Sequence, residues 1–453
     1  MNESTLPTIE EQYIASYQRQ EHDTSAVWLR EMQESALGQF KKLGFPTISN
    51  EEWRFTNIAP FRKNVLLPAV QQVARNGEQN QIRQYLATAD APVIVLLDGF
   101  YSDELSSIPA QSGFTLQHYA AASKEEPPDA VKAALQEVQS AADTHPFAAL
   151  NLAMLENFVT LEIPAGAQIQ SPVHVIHLSR HTSGSPAQMA YPAFFVHAGA
   201  GSSVTLVEAF SGSDEKTYGV VSSTGIVILE GATVDHVRIQ REGGKAFHFG
   251  LLAVRQERKS RYTAFSLALG GAIARTDVVI KIDGEECETM LDGLYVTAKE
   301  QLIDHHTFIE HLHPNCSSRE IFKGIVAGKS RAVFNGKIYV HREAQGTDSK
   351  QTNKNLLLSD EATVDTKPQL EIFADDVKCT HGATVGGLDA SALFYLKSRA
   401  IGEEAARDLL TLGFASEVTS FIHNETVRHF VDTLIIAQLQ ATVTHTALPD
   451  IVH

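Results

Sequence analysis

Cys379 and His381 stand one residue apart near the end of residues 364–387, VDTKPQLEIFADDVKCTHGATVGG. On an extended strand, residues two apart project from the same side, so this thiol and imidazole can reach one ligand. A sulfur and a nitrogen donor together suit iron, zinc or copper far better than magnesium or calcium. Gly382, Gly386 and Gly387 permit close backbone approach and a sharp exit. The plainer reading of the pair is a buried cysteine beside a hydrogen-bonded histidine. A second cluster is the run from Asp304 through His305, His306, Glu310, His311 and His313. On a strand His311 and His313 share a face, but a hydrolytic zinc site needs a third ligand and a general base, and Glu310 points the other way. Histidines that bond to their neighbours are favoured there. Cys316, after Pro314-Asn315, reads as a small buried apolar residue. Cys287 lies between Glu286 and Glu288, whose charges are expected to raise its pKa and make it a poor nucleophile.

The elements that must hold these groups are mostly strands. Val364, Thr366, Pro368, Leu370 and Ile372 alternate with Asp365, Lys367, Gln369 and Glu371, the period of a half-buried strand. Residues 157–387 form the β core, where short β-rich runs follow one another at 173–178, 204–207, 225–229, 233–239, 278–282, 291–296 and 333–340. Turn phrases recur loosely, as in Gly231-Ala232-Thr233-Val234 and Gly382-Ala383-Thr384-Val385. A sandwich, a barrel or a stacked solenoid could accommodate this, and a parallel β-solenoid with irregular coils fits best. Residues 1–156 read as a helical and mixed region, with a helix from an N-cap at Thr24 to Gly44, a strand at 93–97 and a helix from Asp129 to Ala142. Residues 388–453 read as a helical unit, with helices at 391–400, from Glu403, and through Val427, Val431, Ile435 and Leu439. Leu393, Phe394, Tyr395 and Leu396 are consecutive, and one helix face cannot bury all four.

At 453 residues the chain exceeds the size of one ordinary hydrophobic core. A net charge of −17 argues against a nucleic-acid binder, which needs a basic face. Three cysteines suit a reducing cytoplasm better than a disulfide framework. The start, MNESTLPTIEEQ, lacks the basic and apolar pattern of a signal peptide. No apolar run approaches the ~20 residues that span a bilayer. Phosphate-cradling loops are missing as well: there is no GxxxxGK[ST], and Gly199-Ala200-Gly201 lacks a third glycine.

Phe334-Asn335-Gly336, the run VDTKPQLEI at 364–372 and the run DDVKCTHGATVG at 375–386 strongly resemble the SufB/SufD family of iron–sulfur cluster assembly proteins. The stretches DHHT at 304–307, PNCSSR at 314–319 and FYLKSR at 394–399 match the same pattern, densely from about residue 290 to 420. EEWRFT at 51–56 and FAALN at 147–151 look like the SufD branch. The SufB branch has a cysteine in the preceding strand and His-Glu-Ala-Thr in the motif. Here residues 350–356 read KQTNKNL, and the motif is His381-Gly382-Ala383-Thr384.

The resemblance implies a right-handed parallel β-helix flanked by helical units, and a non-enzymatic scaffold subunit. It implies SufB and SufC, an ABC-type ATPase, as partners, with self-pairing in isolation left open and nucleotide held by SufC. Cys379 and His381 are then expected as ligands of a transient iron–sulfur cluster shared with SufB at the subunit interface, and Phe394 and Tyr395 as SufC-docking residues. Two other readings stand beside it: a metal-dependent hydrolase or lyase on a β-helix using the histidines of 305–313, and a structural partner whose Cys379 is inert.

Overall fold

From Ala193 onward the chain winds between two sheets. The first carries Ala193–Ala198, Tyr218–Ile228, Ala246–Gln256, Ile273–Ile282, Leu302–His311, Arg331–Val340 and Thr363–Ile372. The second carries Ser203–Gly212, Thr233–Arg241, Arg261–Ala268, Glu288–Thr297, Ser317–Val326, Thr347–Leu357 and Val377–Gly386. Each strand pairs in parallel with the strands one coil before and after it, as Val333 lies between Asp304 and Asp365. This is a β-solenoid with a coil of about 30 residues. The computed structural model describes residues 8–18, 26–75, 77–88, 90–120, 126–180, 186–214 and 216–443.

The interior explains why these segments are strands. Ile226, Val254, Ile280, Ile309 and Ile338 stack in register through five coils, all buried, and end on half-buried Leu370. Each buried aliphatic rung stabilises the stack by roughly 1.5–3 kcal/mol. The corner before the second-sheet strands repeats differently. Gly201, Gly231, Lys259, Glu286, Asn315 and Gly346 occupy it in successive coils, and every one has φ between 57° and 73°. The repeat is therefore one of backbone conformation, which glycine meets without strain and other residues meet at a cost.

The N-terminal region covers the outer face of the first sheet. Helices Val27–Leu43, Asp129–Ala142 and Pro146–Ala153 share a core there with Trp53, Phe61 and Phe249, and Phe147 stacks on Phe249 at 3.8 Å. Ala26 precedes the first of these helices without a side-chain cap, and Thr24, expected as its N-cap, lies outside the described residues. The short EEWRFT segment opens with a 3-10 turn at Glu51–Trp53 and clasps the sheet. Arg275 lies 3.7 Å from the Trp53 ring and bonds Asp277 and Asp304, while Thr56 Oγ1 donates to Asp304 Oδ2 at 2.5 Å. Segments before residue 157 also join the sheets. Val93–Leu97 pairs in parallel with Val173–Ser179, and Thr115–Ala120 runs antiparallel to Asn157–Ile163.

The C-terminal helices Glu403–Thr419 and Glu425–Val443 pack on the outer face of the second sheet through Ala415, Val418, Val427, Val431 and Ile435. Lys323 and Arg319 reach out of that sheet to them. Lys323 Nζ bonds the Phe414 carbonyl at 2.8 Å and pairs with Glu417, and the Arg319 guanidinium sits 3.9 Å from the Phe421 ring. Among the described residues no helix is long and apolar enough to cross a membrane.

Candidate functional site

Thr363–Ile372 and Val377–Gly386 form the last coil, and each pairs on one side only. No residue of either strand is buried. The alternation at 364–372 was expected to give one buried face; instead the strand is half-covered throughout, because no further coil stacks on it. Ile372, Phe373 and Val385 are left as exposed apolar side chains at this open end.

Cys379 and His381 sit in the final strand, in register with Ser349 and Gln351 of the coil beneath. Parallel partners project to the same side of a sheet, and Ser349 and Gln351 are buried, so the pair belongs to the inward face at the mouth of the solenoid. Cys379 is half-buried and packs against the apolar interior, whereas His381 is exposed. Burial raises the thiol pKa and the Asp348 carboxylate adds to this, against a backbone N–H from Ser349. Below the thiol runs a chain of hydroxyls: Ser349 Oγ lies 2.6 Å from Ser318 Oγ, which lies 2.9 Å from His311 Nε2.

The histidines of 305–313 do not converge. His305 points into the solenoid, 3.1 Å from Ser266 Oγ, and burial lowers its pKa to about 4. His306 lies on the outer side between Asp304 and Glu52, at 3.2 and 3.4 Å. Burial and Arg275 act to lower its pKa, and the two carboxylates outweigh them and raise it. His311 faces inward to Ser318, with its pKa lowered to about 4 by burial. The strand ends at His311, so His313 does not share its face and instead meets Asp283 at 3.3 Å. Among the described residues no group of three or more His, Cys, Asp or Glu side chains is placed to hold a metal ion. Cys379 and His381 are two donors, and further ligands must come from elsewhere.

Cys287 and Cys316 are buried on adjacent coils, and both thiols donate to the Gly284 carbonyl, at 3.3 and 3.1 Å. The expected influence of Glu286 and Glu288 on Cys287 is absent, because both carboxylates lie at the surface against Lys259 and Arg261. The Cys316 thiol is the largest effect instead, and it lowers the Cys287 pKa.

Several interior groups escaped the sequence reading. Thr347–Leu357 carries buried Thr347, Ser349, Gln351, Asn353 and Asn355, so its interior face is polar and no apolar period marks it. A signal existed: these uncharged residues alternate with Asp348, Lys350, Thr352 and Lys354. On the C-terminal side, helix Ala390–Ser398 buries none of its residues, and Phe394 and Tyr395 are 74% and 57% exposed.

Fold and site define a helix-flanked parallel β-solenoid whose last coil is uncovered and carries a thiol and an imidazole at its mouth. Residues 7–175 match the SufBD protein N-terminal region, and residues 180–414 match the SufBD core domain of the SUF system for FeS cluster assembly. The chain belongs to the SufBD family of iron–sulfur cluster assembly proteins. It is 29% identical to the iron–sulfur cluster assembly protein SufD of Escherichia coli over 396 residues, 87% of this chain and 89% of that protein. Identity to the protein ABCI7, chloroplastic, of Arabidopsis thaliana is 30% over 412 residues, 89% of this chain and 85% of the relative. A SufBD family protein of Synechocystis is 31% identical over 393 residues, covering 83% of each.

Proposed function

We propose that the chain is the SufD-type scaffold subunit of a SufBCD-type complex, acting in the cytoplasm and without catalysis of its own. The observation that carries this is the uncovered last coil, with Cys379 and His381 on its inward face and exposed Ile372, Phe373 and Val385 around it. An apolar sheet end of this kind invites an end-on partner, here SufB. The iron–sulfur cluster is cargo, assembled transiently at that junction. A cluster takes about four ligands, mostly thiolates, so SufB supplies what Cys379 and His381 do not.

Residues 1–156, 157–387 and 388–453 divide the labour: a cover for one sheet, the solenoid, and the unit that docks the SufC ATPase through Phe394 and Tyr395. Nucleotide belongs to SufC, because this chain has no phosphate-cradling loop. Closure of a SufC pair does work only if the closed state prefers a different arrangement of the two scaffold subunits. Lys323 and Arg319, which tie the terminal helices to the second sheet, are the route by which such a motion reaches the solenoid.

The test is co-expression of this chain, tagged, with untagged SufB and SufC. Both partners are expected in the eluate, and recovery of the tagged chain alone overturns the reading.

A further inference from the structure

Beneath His381 the interior of the solenoid holds two polar side chains in register, Gln351 and, one coil further in, Glu320. Since parallel partners project to the same side, the three residues form a column running inward from the mouth. Gln351 and Glu320 are each 1% exposed, and Gln351 Nε2 donates to Glu320 Oε2 at 2.5 Å. The amide is closely confined. Gly336, on the facing sheet, makes room for it: a Cβ there would lie 2.1 Å from Gln351 Nε2. With the nitrogen committed to Glu320, Gln351 Oε1 is a buried acceptor that has no hydrogen-bond partner among the described residues. Burying such an oxygen without a donor is costly, and the next group along the column is the His381 imidazole.

We propose that Gln351, held by Glu320, is the positioning residue for His381: its Oε1 receives the proton-bearing ring nitrogen and turns the other nitrogen, lone pair free, toward the mouth beside Cys379. The proposal rests on the reading of His381 as a ligand and adds how this chain selects its tautomer. With the Glu320 carboxylate ionised, as it is at the pH of the test below, its Oε2 accepts from Gln351 and the amide presents its oxygen to the histidine. A ligating imidazole is characteristically fixed through a hydrogen bond from its second nitrogen, and that bond sets which nitrogen is free for a metal. Cys379 stands over Ser349 rather than Gln351 and is outside this control.

The test uses the full chain with 15N-labelled histidine and long-range nitrogen–proton correlation spectra, at a pH about two units above the ordinary imidazole value. Among the 19 histidines, the His381 ring signal is the one lost in His381→Ala. In the wild type it is expected to show one tautomer. In Gln351→Leu it is expected to lose that preference and show the exchanging mixture of a free imidazole. The double variant Glu320→Leu/Gln351→Leu leaves neither polar partner behind, so it guards against misfolding, and the same loss is expected. A mixture already present in the wild type, or one tautomer unchanged in both variants, overturns the proposal. Failure of the ligand reading is separate: a His381→Ala chain that still supports full cluster assembly would end that reading whatever the tautomer.

Discussion

Lys323 is buried in the second sheet, yet its ammonium meets Glu417, a largely exposed residue of helix Glu403–Thr419. Burial lowers the lysine pKa, and Glu417 raises it in opposition. Among the described residues, removing the carboxylate leaves the cation with the Phe414 carbonyl and ring, whereas methionine at 323 fills the stem and removes the charge. Glu417→Ala is therefore expected to destabilise more than Lys323→Met, by about 1–2 kcal/mol after allowance for the exposed partner. Thermal melts with limited proteolysis of the 403–443 segment check this; equal losses in the two variants would contradict it.

Cys379→Ser and His381→Ala change residues of an uncovered coil. Melting temperature and partner retention are expected to stay at wild-type values while iron–sulfur enzyme activities in the cell fall. Full cluster supply from a chain carrying alanine at both positions would sink the ligand assignment.

Phe394 and Tyr395 lie on a helix with no buried residue, so shortening them removes little from this chain. Phe394→Ala or Tyr395→Ala is expected to weaken SufC retention by on the order of 2 kcal/mol, without loss of SufB and without a lower melting temperature. Unchanged SufC binding in both rejects the docking claim.

Glu320 is pushed by burial to about 7, against the pull of the Gln351 amide. In the unfolded chain the carboxyl ionises near pH 4.3, roughly its reference value. Between those values the folded protein keeps a proton that the unfolded chain has released, so stability falls as pH rises toward 7 and then levels. Glu320→Gln removes this loss. The variant is expected to gain on the wild type by a few kcal/mol between pH 5 and pH 8. Denaturant melts at both pH values decide; a constant difference would count against the buried carboxyl.

Lys259 holds φ at 57° at the solenoid corner where other coils have glycine. Lys259→Gly relieves the left-handed strain, partly offset by a more flexible unfolded chain. A gain of up to about 1 kcal/mol is expected, and a lower melting temperature would refute it.

The same corner shows why the solenoid was only partly legible. A hexapeptide-like repeat would have announced itself, but Gly231, Lys259, Glu286 and Asn315 share a torsion angle rather than a chemistry. The helix at Asp129–Ala142 was readable to its ends because apolar residues fall on one face and prolines precede it. The Cys379–His381 pair was readable from spacing, since a two-residue step on a strand fixes a shared side. Its foundations were not. Ser318, Ser349, Gln351 and Glu320 touch only through stacking of residues about 30 apart, and a polar interior mimics a surface strand when read linearly. The histidines of 305–313 behave as the favoured reading had them, each bonded to its own neighbours, since nearness in sequence became divergence across a sheet.

The two ends of the solenoid differ, and the difference limits what can be built from it. At the start, Phe100–Tyr101 and Thr115–Ala120 border the two sheets as antiparallel edge strands; at the finish, the parallel ladders simply stop. The two poles present different ladders, antiparallel at one end and parallel at the other, so if the last coil is the pairing surface as proposed, head-to-tail addition finds no matching edge to continue on. Contact through the last-coil pole uses it up, and growth ends at two bodies related by a rotation. On the proposed reading, pairing with a like fold is thus self-limiting, and whichever protein meets that pole first excludes every other.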